Sequence, residues 1–403
     1  MNVRTLAEKY EQYVIDCRHW IHQHPETACK ERETMEFIEN ELHKMGLETY
    51  RFDDTHTGGW AWIRGGKGEQ GEKRKAILLR AEIDALPVQE KNTDISYASI
   101  YPNRMHACGH NSHVAMLLGA AKILTEIKDE LEGDVKLLFQ PAEEPAVGAK
   151  WCVDQGCMDD VDACYGCHIA TWLESPYISV EAGPRMAASD EFKIHVHGVG
   201  CHGGMPHLGR DPIVAACAIV MNLQTLVSRR TDSLDSLVIT IGKITGGEHF
   251  NVVTDYVEIN GTARSFSREI RANIQPMMAE VAENTAKAFG CSASVEYKYN
   301  TPAVIHDSPM MNRIAMDAAL KLYGKEGVKL RKPVAASDDF SYFSEVKPGL
   351  FAFIGACNEE KDCAYGHHHP KFNVDEDVFV RGTAMYAQVA VDFLADAIGD
   401  GEA

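Results

Sequence analysis

KAILLRAEIDALP, residues 75–87, is almost continuously apolar until it reaches Glu82 and Asp84. A strand with one face in water alternates apolar and polar residues. This run does not, so it reads as a strand buried on both faces, as in a parallel sheet covered by helices. DVKLLFQPAEE (134–144) repeats the pattern as a strand running into a loop, and DACYGCHI (162–169) repeats it again. A short β-rich run, GGWAWIRGG (58–66), precedes them. Helical periodicity fills the intervals: ERETMEFIENELHKMG (31–46, stopped by a Gly), HVAMLLGAAKILTEI (113–127, apolar all round) and AVGAKWCVDQG (146–156). The alternation predicts an α/β domain with a central, mostly parallel sheet, whose chemistry gathers at the carboxyl ends of the strands.

Between residues 187 and 300 the rhythm changes. DEFKIHVHGVG (190–200) alternates like a strand with one wet face, and DPIVAACAIVMNLQTLVSRR (211–230) is a helix with Pro212 near its start. SLVITIGKITGG (236–247) and DYVEINGTARSF (255–266) are strands. REIRANIQPMMAEVAENTAKAFG (268–290) is a helix despite Pro276, and SASVEYKYN (292–300) is a strand. The order β-α-β-β-α-β is that of a ferredoxin-like α+β unit. The α/β pattern then resumes with MNRIAMDAALKLYG (311–324), GLFAFIGAC (349–357) and VFVRGTAMYAQVAVDFLADAIG (378–399). The expected organisation is a larger domain in two parts, 1–186 and 301–403, interrupted by a smaller domain at 187–300.

Composition narrows the function. The chain has 403 residues and a formal net charge of -19, so attraction to nucleic acid or to an anionic membrane is not expected. No stretch approaches the roughly 20 continuous apolar residues of a membrane span. The start, MNVRTLAEKYEQYV, is charged and amphipathic rather than a secretory leader. Twelve cysteines in so large a chain read as reduced thiols in a cytoplasm, not as a disulfide framework.

The densest chemistry lies in MHACGHNSH (105–113), where His106, Cys108, His110 and His113 fall within eight residues. Glu143 and Glu144 follow one strand, His168 ends another, and His367, His368 and His369 occupy a late loop. Imidazole, carboxylate and thiolate from separate strand ends suit a divalent transition metal. Taken singly, each has a plainer reading, as a satisfied polar residue or a solvated surface. Cys164-x-x-Cys167 lacks a second pair to complete a zinc ribbon and reads as two buried thiols.

In joint order the motifs resemble the M20 metallopeptidase family, in the amidohydrolase branch that holds hippurate hydrolases, bacterial aminoacylases and plant indole-acetyl-amino-acid hydrolases. The resemblance runs through HQHPE (22–26), LLRAEIDALPVQE (78–90), MHACGH (105–110), FQPAEE (139–144), GCHI (166–169), CHGGMPHLGRDP (201–212), GTARSF (261–266), ASDDF (336–340) and HHPKFNVDE (368–376). It implies a catalytic α/β domain interrupted by a ferredoxin-like lid that also serves dimerisation. It implies two divalent ions (zinc, manganese, cobalt or nickel) held by Cys108, His110, Glu144, His168 and His368, with the Cys thiolate able to bridge them. Glu143 would be the general base, and Asp84 a carboxylate that orients the ligands. His202 would stabilise the oxyanion, often across a dimer, while Asn251 and Arg264 would hold the substrate carboxylate. His106 and His113 are expected to be structural. The implied reaction is hydrolysis of an N-acyl amino acid, a small amide with a free carboxylate, by a homodimer or larger assembly.

The chain departs from the family pattern in places. Asn111 stands where many relatives have Asp, which removes a charge near the ligands. EEPAVGA (143–149) replaces a glycine-rich segment and puts Pro145 beside the expected base. GCHIATWLES (166–175) lacks a Pro usual there, and with GHH (366–368) it resembles the aminobenzoyl-glutamate hydrolase subgroup. A dipeptidase or an aminobenzoyl-glutamate-type hydrolase is therefore the alternative enzyme. A non-catalytic metal- or ligand-binding relative is the alternative of another class.

Overall fold

A computed structural model describes residues 2–52, 57–67 and 74–396. The end of the closing predicted helix, 397–399, lies outside the described residues. The described chain divides into two compact units. The larger runs through Gly183 and takes in His306–Lys332 and the chain from Tyr342 onward; the smaller is Pro184–Ile305 with Pro333–Ser341.

The larger unit is built on a seven-stranded sheet. Its order is Thr49–Arg51, Gly59–Ile63, Asp134–Gln140, Ala76–Glu82, Ala163–Glu174, Gly349–Cys357 and Ile178–Ser179. The four strands from Asp134–Gln140 to Gly349–Cys357 are mutually parallel, and the outer pairings are antiparallel. The sheet is thus mixed, with a parallel centre. Every residue of Ala76–Glu82 and Asp134–Gln140 is buried, which is why neither sequence alternates. Helix His110–Glu126 packs against Phe379–Ala395 and Glu11–Gln23. Its leucines and alanines are buried on all sides, so it too shows no polar stripe.

The smaller unit is a four-stranded antiparallel sheet in the order Leu237–Gly246, Tyr256–Ser265, Ala188–His197, Ser292–Thr301. Helices Pro212–Arg229 and Arg268–Ala288 bury Ala215, Ile219, Leu223, Ile274, Met278 and Ala282 in one core with the sheet. Asp211 caps the first helix through its carboxylate, and Pro212 occupies the first helical position, where no N–H is required. Pro276 lies inside the second helix, which continues through it. Residues 333–341 join this unit by backbone bonds: Val334 N–H donates to Arg185 O (3.0 Å) and Ala187 N–H to Ala336 O (2.9 Å). The helix Pro212–Arg229 is long and apolar enough to cross a membrane by composition; one stripe of it faces the sheet, leaving Ile213, Val214 and Met221 exposed.

Candidate metal centre

The site grows from the carboxyl ends of the parallel strands. Strand Ala76–Glu82 leads into Asp84, Asp134–Gln140 into Glu143 and Glu144, and His168 lies within Ala163–Glu174. Cys108 comes from the loop before helix His110–Glu126. Gly109 makes the turn between them at φ +99, and a Cβ there would meet Ile169 Cγ2 at 2.3 Å. Only glycine fits both the conformation and the space.

Two groups of potential donor atoms contain Cys108, each within 4.8 Å: Cys108 with His110 and Glu144, and Cys108 with His168 and His367. Cys108 is common to both. Its Sγ lies 3.6 Å from His168 Nε2 and 3.9 Å from His367 Nδ1.

The ring nitrogens distinguish ligand from support. His110 Nδ1 is 2.9 Å from Asp84 O, and His168 Nδ1 is 2.6 Å from Ile169 O. A carbonyl oxygen can only accept, so each Nδ1 carries a proton, and Nε2 is the nitrogen that a metal would take. His110 Nε2 and Glu144 Oε1 are buried without hydrogen-bond partners among the described residues. Orphaned soft and hard donors around a thiol are what a transition-metal ion satisfies, so the residues fit one. In His113 both nitrogens are engaged: Nδ1 with Glu82 Oε2 (2.9 Å), and Nε2 accepting Ile169 N–H (2.8 Å). That makes it a brace rather than a ligand. His106 is buried with neither nitrogen hydrogen-bonded among the described residues.

The resemblance implies His368 as the ligand, and the structure brings His367 to the cluster as well. Its Nδ1 lies 3.1 Å from Cys108 O, and its Nε2 accepts a long bond from Thr171 N–H (3.4 Å). His368 is more exposed; its Nε2 is 3.5 Å from Glu144 Oε2 and its backbone N–H donates to Ala107 O (2.7 Å). Both histidines thus meet the cluster, and His367 spends its nitrogens on backbone groups. Glu82 also has an oxygen within 4.8 Å of His110 and His168 donors. Its place two residues before Asp84, on the period of the strand, was the available signal.

Asp84 organises the carboxylate side. Glu143 N–H donates to its Oδ1 (3.1 Å) and Glu144 N–H to its Oδ2 (3.0 Å). Glu143 Oε2 sits 3.8 Å from His110 Nε2. Ala142 and Ala146 adopt φ +51 and +57, each a strain of about 1 kcal/mol for a residue with a Cβ. Gly148 closes this turn against Pro141 O, where a Cβ would stand at 1.6 Å.

Charge follows geometry. Burial alone would lower His110, but the Asp84 hydrogen bond and the charges of Glu82, Asp84 and Glu144 push it up to about 10. Burial holds His168 well below the usual imidazole range and His367 down to about 4. Burial raises Glu144. Cys164 and Cys167 are fully buried; burial pushes Cys167 up to about 12 and Cys164 higher, so both stay thiols. Asn111 has its own counterpart: its amide donates to His22 Nδ1 (3.0 Å), while His22 Nε2 faces Glu90 Oε1 (3.0 Å). An amide suits a neutral imidazole, and burial lowers His22.

In the smaller unit, strand Cys201–His202 pairs with Val252–Val253, placing His202 beside Val252, next to Asn251. His202 Nδ1 accepts Gly204 N–H (3.0 Å), and Asn251 O accepts Gly203 N–H (2.8 Å). Both side chains are exposed. Arg264 is on strand Tyr256–Ser265, with Nη1 donating to Ser337 Oγ (3.3 Å).

Residues 78–392 match peptidase family M20/M25/M40. The chain is 39% identical to an N-acetyl-L-cysteine deacetylase of Bacillus subtilis, over 95% of this chain and 88% of the relative. It is 35% identical to an IAA-amino acid hydrolase of Arabidopsis thaliana, over 97% and 88%. A crystal structure of a dinuclear metal-binding M20 peptidase from Bacillus subtilis superposes with a TM-score of 0.83 at 31% identity, covering 95% of this chain and 98% of that one. A relative so alike over nearly the whole length, with a thiol shared by two donor groups at the strand ends, makes this chain a metal-dependent hydrolase of peptidase family M20, in its amidohydrolase branch.

Proposed function

We propose that the protein hydrolyses N-acyl amino acids, with Cys108, His110, Glu144, His168 and His368 holding two divalent ions (zinc, manganese, cobalt or nickel). The observation that carries this reading is that Cys108 belongs to two donor groups, with His110 and His168 each donating Nδ1–H to a backbone carbonyl. When bound, the ions supply Lewis-acid activation of water and of the amide carbonyl. Glu143 takes the proton from the attacking water and returns it to the leaving amine. Asp84 holds the backbone of Glu143 and Glu144 and the ring of His110, so these groups need not reorganise during the reaction. His202 stabilises the developing oxyanion, and Asn251 and Arg264 hold the substrate carboxylate, for which a guanidinium fork is suited.

The relatives' names join different acyl groups to an amino acid, which supports the substrate class and leaves the acyl group to experiment. The catalytic domain in this reading comprises 1–186 and 301–403 and is interrupted at 187–300 by a lid. The protein works in the cytoplasm, a location supported by twelve cysteines that form no disulfide among the described residues. It acts on small amides rather than on nucleic acid or membrane. It is a homodimer or larger assembly built through the smaller unit, whose helix Pro212–Arg229 and edge strand Leu237–Gly246 expose Ile213, Val214, Met221, Val238 and Ile244.

The test is a panel of N-acetyl, N-benzoyl and N-indole-acetyl amino acids, dipeptides and aminobenzoyl-glutamate, run with metal analysis on wild type and Glu143→Gln. Turnover of the N-acyl amino acids by wild type alone supports the reading. Dipeptides or aminobenzoyl-glutamate as the sole substrates would replace it, and no turnover by metal-loaded wild type would sink it.

A further inference from the structure

Residues 24–34 contribute no atom to the donor groups, yet they are fastened to the site at two points. Ala85 N–H, next to Asp84, donates to Glu26 O (2.7 Å), and Thr27 forms an isolated parallel bridge with Ala85. The Glu26 carboxylate in turn accepts Thr34 N–H (2.8 Å) and the Thr34 hydroxyl (3.0 Å), fixing the start of helix Arg32–Lys44.

Glu31 stands just before that helix and has no exposed surface. Its side chain does not cap the helix it precedes. Oε1 instead accepts Ala142 N–H (3.0 Å), and Oε2 accepts the Thr57 hydroxyl. Three successive backbone N–H groups, those of Ala142, Glu143 and Glu144, therefore end on carboxylate oxygens: Glu31 Oε1, Asp84 Oδ1 and Asp84 Oδ2. The first belongs to a residue held at φ +51. Burying a carboxylate is unfavourable unless it is well bonded, and a helix start needs only a small polar cap. The side chain at 31 is spent on the turn that carries Glu143.

We propose that Glu31 is a positioning residue for Glu143, acting through the Ala142 backbone. The inference rests on the hydrolase reading above, in which Glu143 moves the proton. Loss of Glu31 lets the 142–144 turn relax, and a shift of about 1 Å at a reacting group costs as much as 10²-fold in rate.

The experiment measures kcat, KM and bound metal with N-acetyl-L-cysteine for Glu31→Ala, Glu31→Gln, Thr57→Val and Glu143→Gln. Glu31→Ala is expected to lower kcat about 10- to 100-fold, with KM within about threefold and metal content unchanged. Glu31→Gln keeps an oxygen for Ala142 N–H and is expected to recover most of that loss. Thr57→Val leaves the carboxylate in place but loosens it, and is expected to lower kcat about threefold. Wild-type kcat in Glu31→Ala, or a loss proportional to lost metal, overturns the proposal. If Glu31→Ala does not fold, unchanged kcat in Thr57→Val overturns it. Glu143→Gln separates the two levels: wild-type turnover there defeats the hydrolase assignment of Glu143, whereas an inactive Glu143→Gln beside a fully active Glu31→Ala defeats this inference alone.

Discussion

The candidate residues of the two units are held in opposite ways. In the larger unit Asp84, His110, Glu143 and His168 are buried, and each has a second bond fixing its backbone or ring. In the smaller unit His202 and Asn251 are exposed and fixed chiefly through their backbones. Parallel strand ends give depth, so polar groups there must be satisfied by one another or by a bound ion. A two-stranded turn gives reach, and apart from the bond from Gly204 N–H to His202 Nδ1 these exposed side chains are uncommitted among the described residues.

The largest expected effect tests the committed side. Glu143→Gln should lower kcat by roughly 10² to 10⁴ while retaining metal, read by single-turnover kinetics and elemental analysis. Loss of metal in the same variant would merge the roles of Glu143 and Glu144 and blur the contrast. The uncommitted side comes next: His202→Ala should cost roughly 10² to 10³ in kcat, as for one oxyanion donor, with metal and assembly unchanged. Mixed with Glu143→Gln subunits it should regain activity if His202 serves the partner chain. With subunit exchange confirmed and no activity regained, His202 would serve its own chain or play no catalytic part.

A smaller change probes the support beneath the ligands. Asp84→Asn keeps the shape but can present only one oxygen to the two N–H groups, and should weaken metal binding or activity about 10- to 100-fold. An unaltered metal affinity and rate would mean that the turn holds itself.

The smallest effect is on stability without metal. Burial lowers His22, His106, His113, His168 and His367, so the unfolded chain binds more protons below about pH 6.5, and stability should rise with pH up to there. His110 works in reverse: its folded value of about 10 gives stability that is full below 6.5 and is lost as pH climbs toward 10. Chelator-treated protein should therefore melt highest near neutrality, and restored metal should flatten the curve. Trp20, Trp60, Trp62, Trp151 and Trp172 all lie in the larger unit, so their fluorescence reports it alone. A flat profile without metal would show that the imidazoles are not under this strain.

Much of this was legible beforehand, for physical reasons. Unbroken apolar runs such as KAILLRAEIDALP identify strands covered on both faces, and the alternation in DEFKIHVHGVG identifies a sheet with one wet face. Glu143, Glu144 and His168, which adjoin those strands, could be placed from the same pattern, whereas Asp84 takes its role from the family resemblance. The residue pattern without the resemblance could not rank His367 against His368, because the contacts of each ring, such as those of His367 with Cys108 O and Thr171 N–H, lie in a loop without periodicity. Nor could it find Glu31, whose partner Ala142 is 111 residues away. Residues 333–341 carry no pattern either, and only their pairing with Arg185 and Ala187 reveals where they belong.

Strand Gly349–Cys357 lies between Ala163–Glu174 and Ile178–Ser179 in the larger sheet, although those two are neighbours in the chain. On the ribosome the first strand is finished early and its edge waits, unpaired on that side, until residue 349 has emerged. The smaller unit is likewise unfinished until Ser341. His367 and His368 appear later still, so a chain broken off anywhere before them lacks both the sheet's inner strand or its loop and part of the donor set. Long-range closure of this kind slows folding and leaves an edge open to wrong partners. Under the ligand set proposed above, a chain can collect all of its donors only after His368 has emerged.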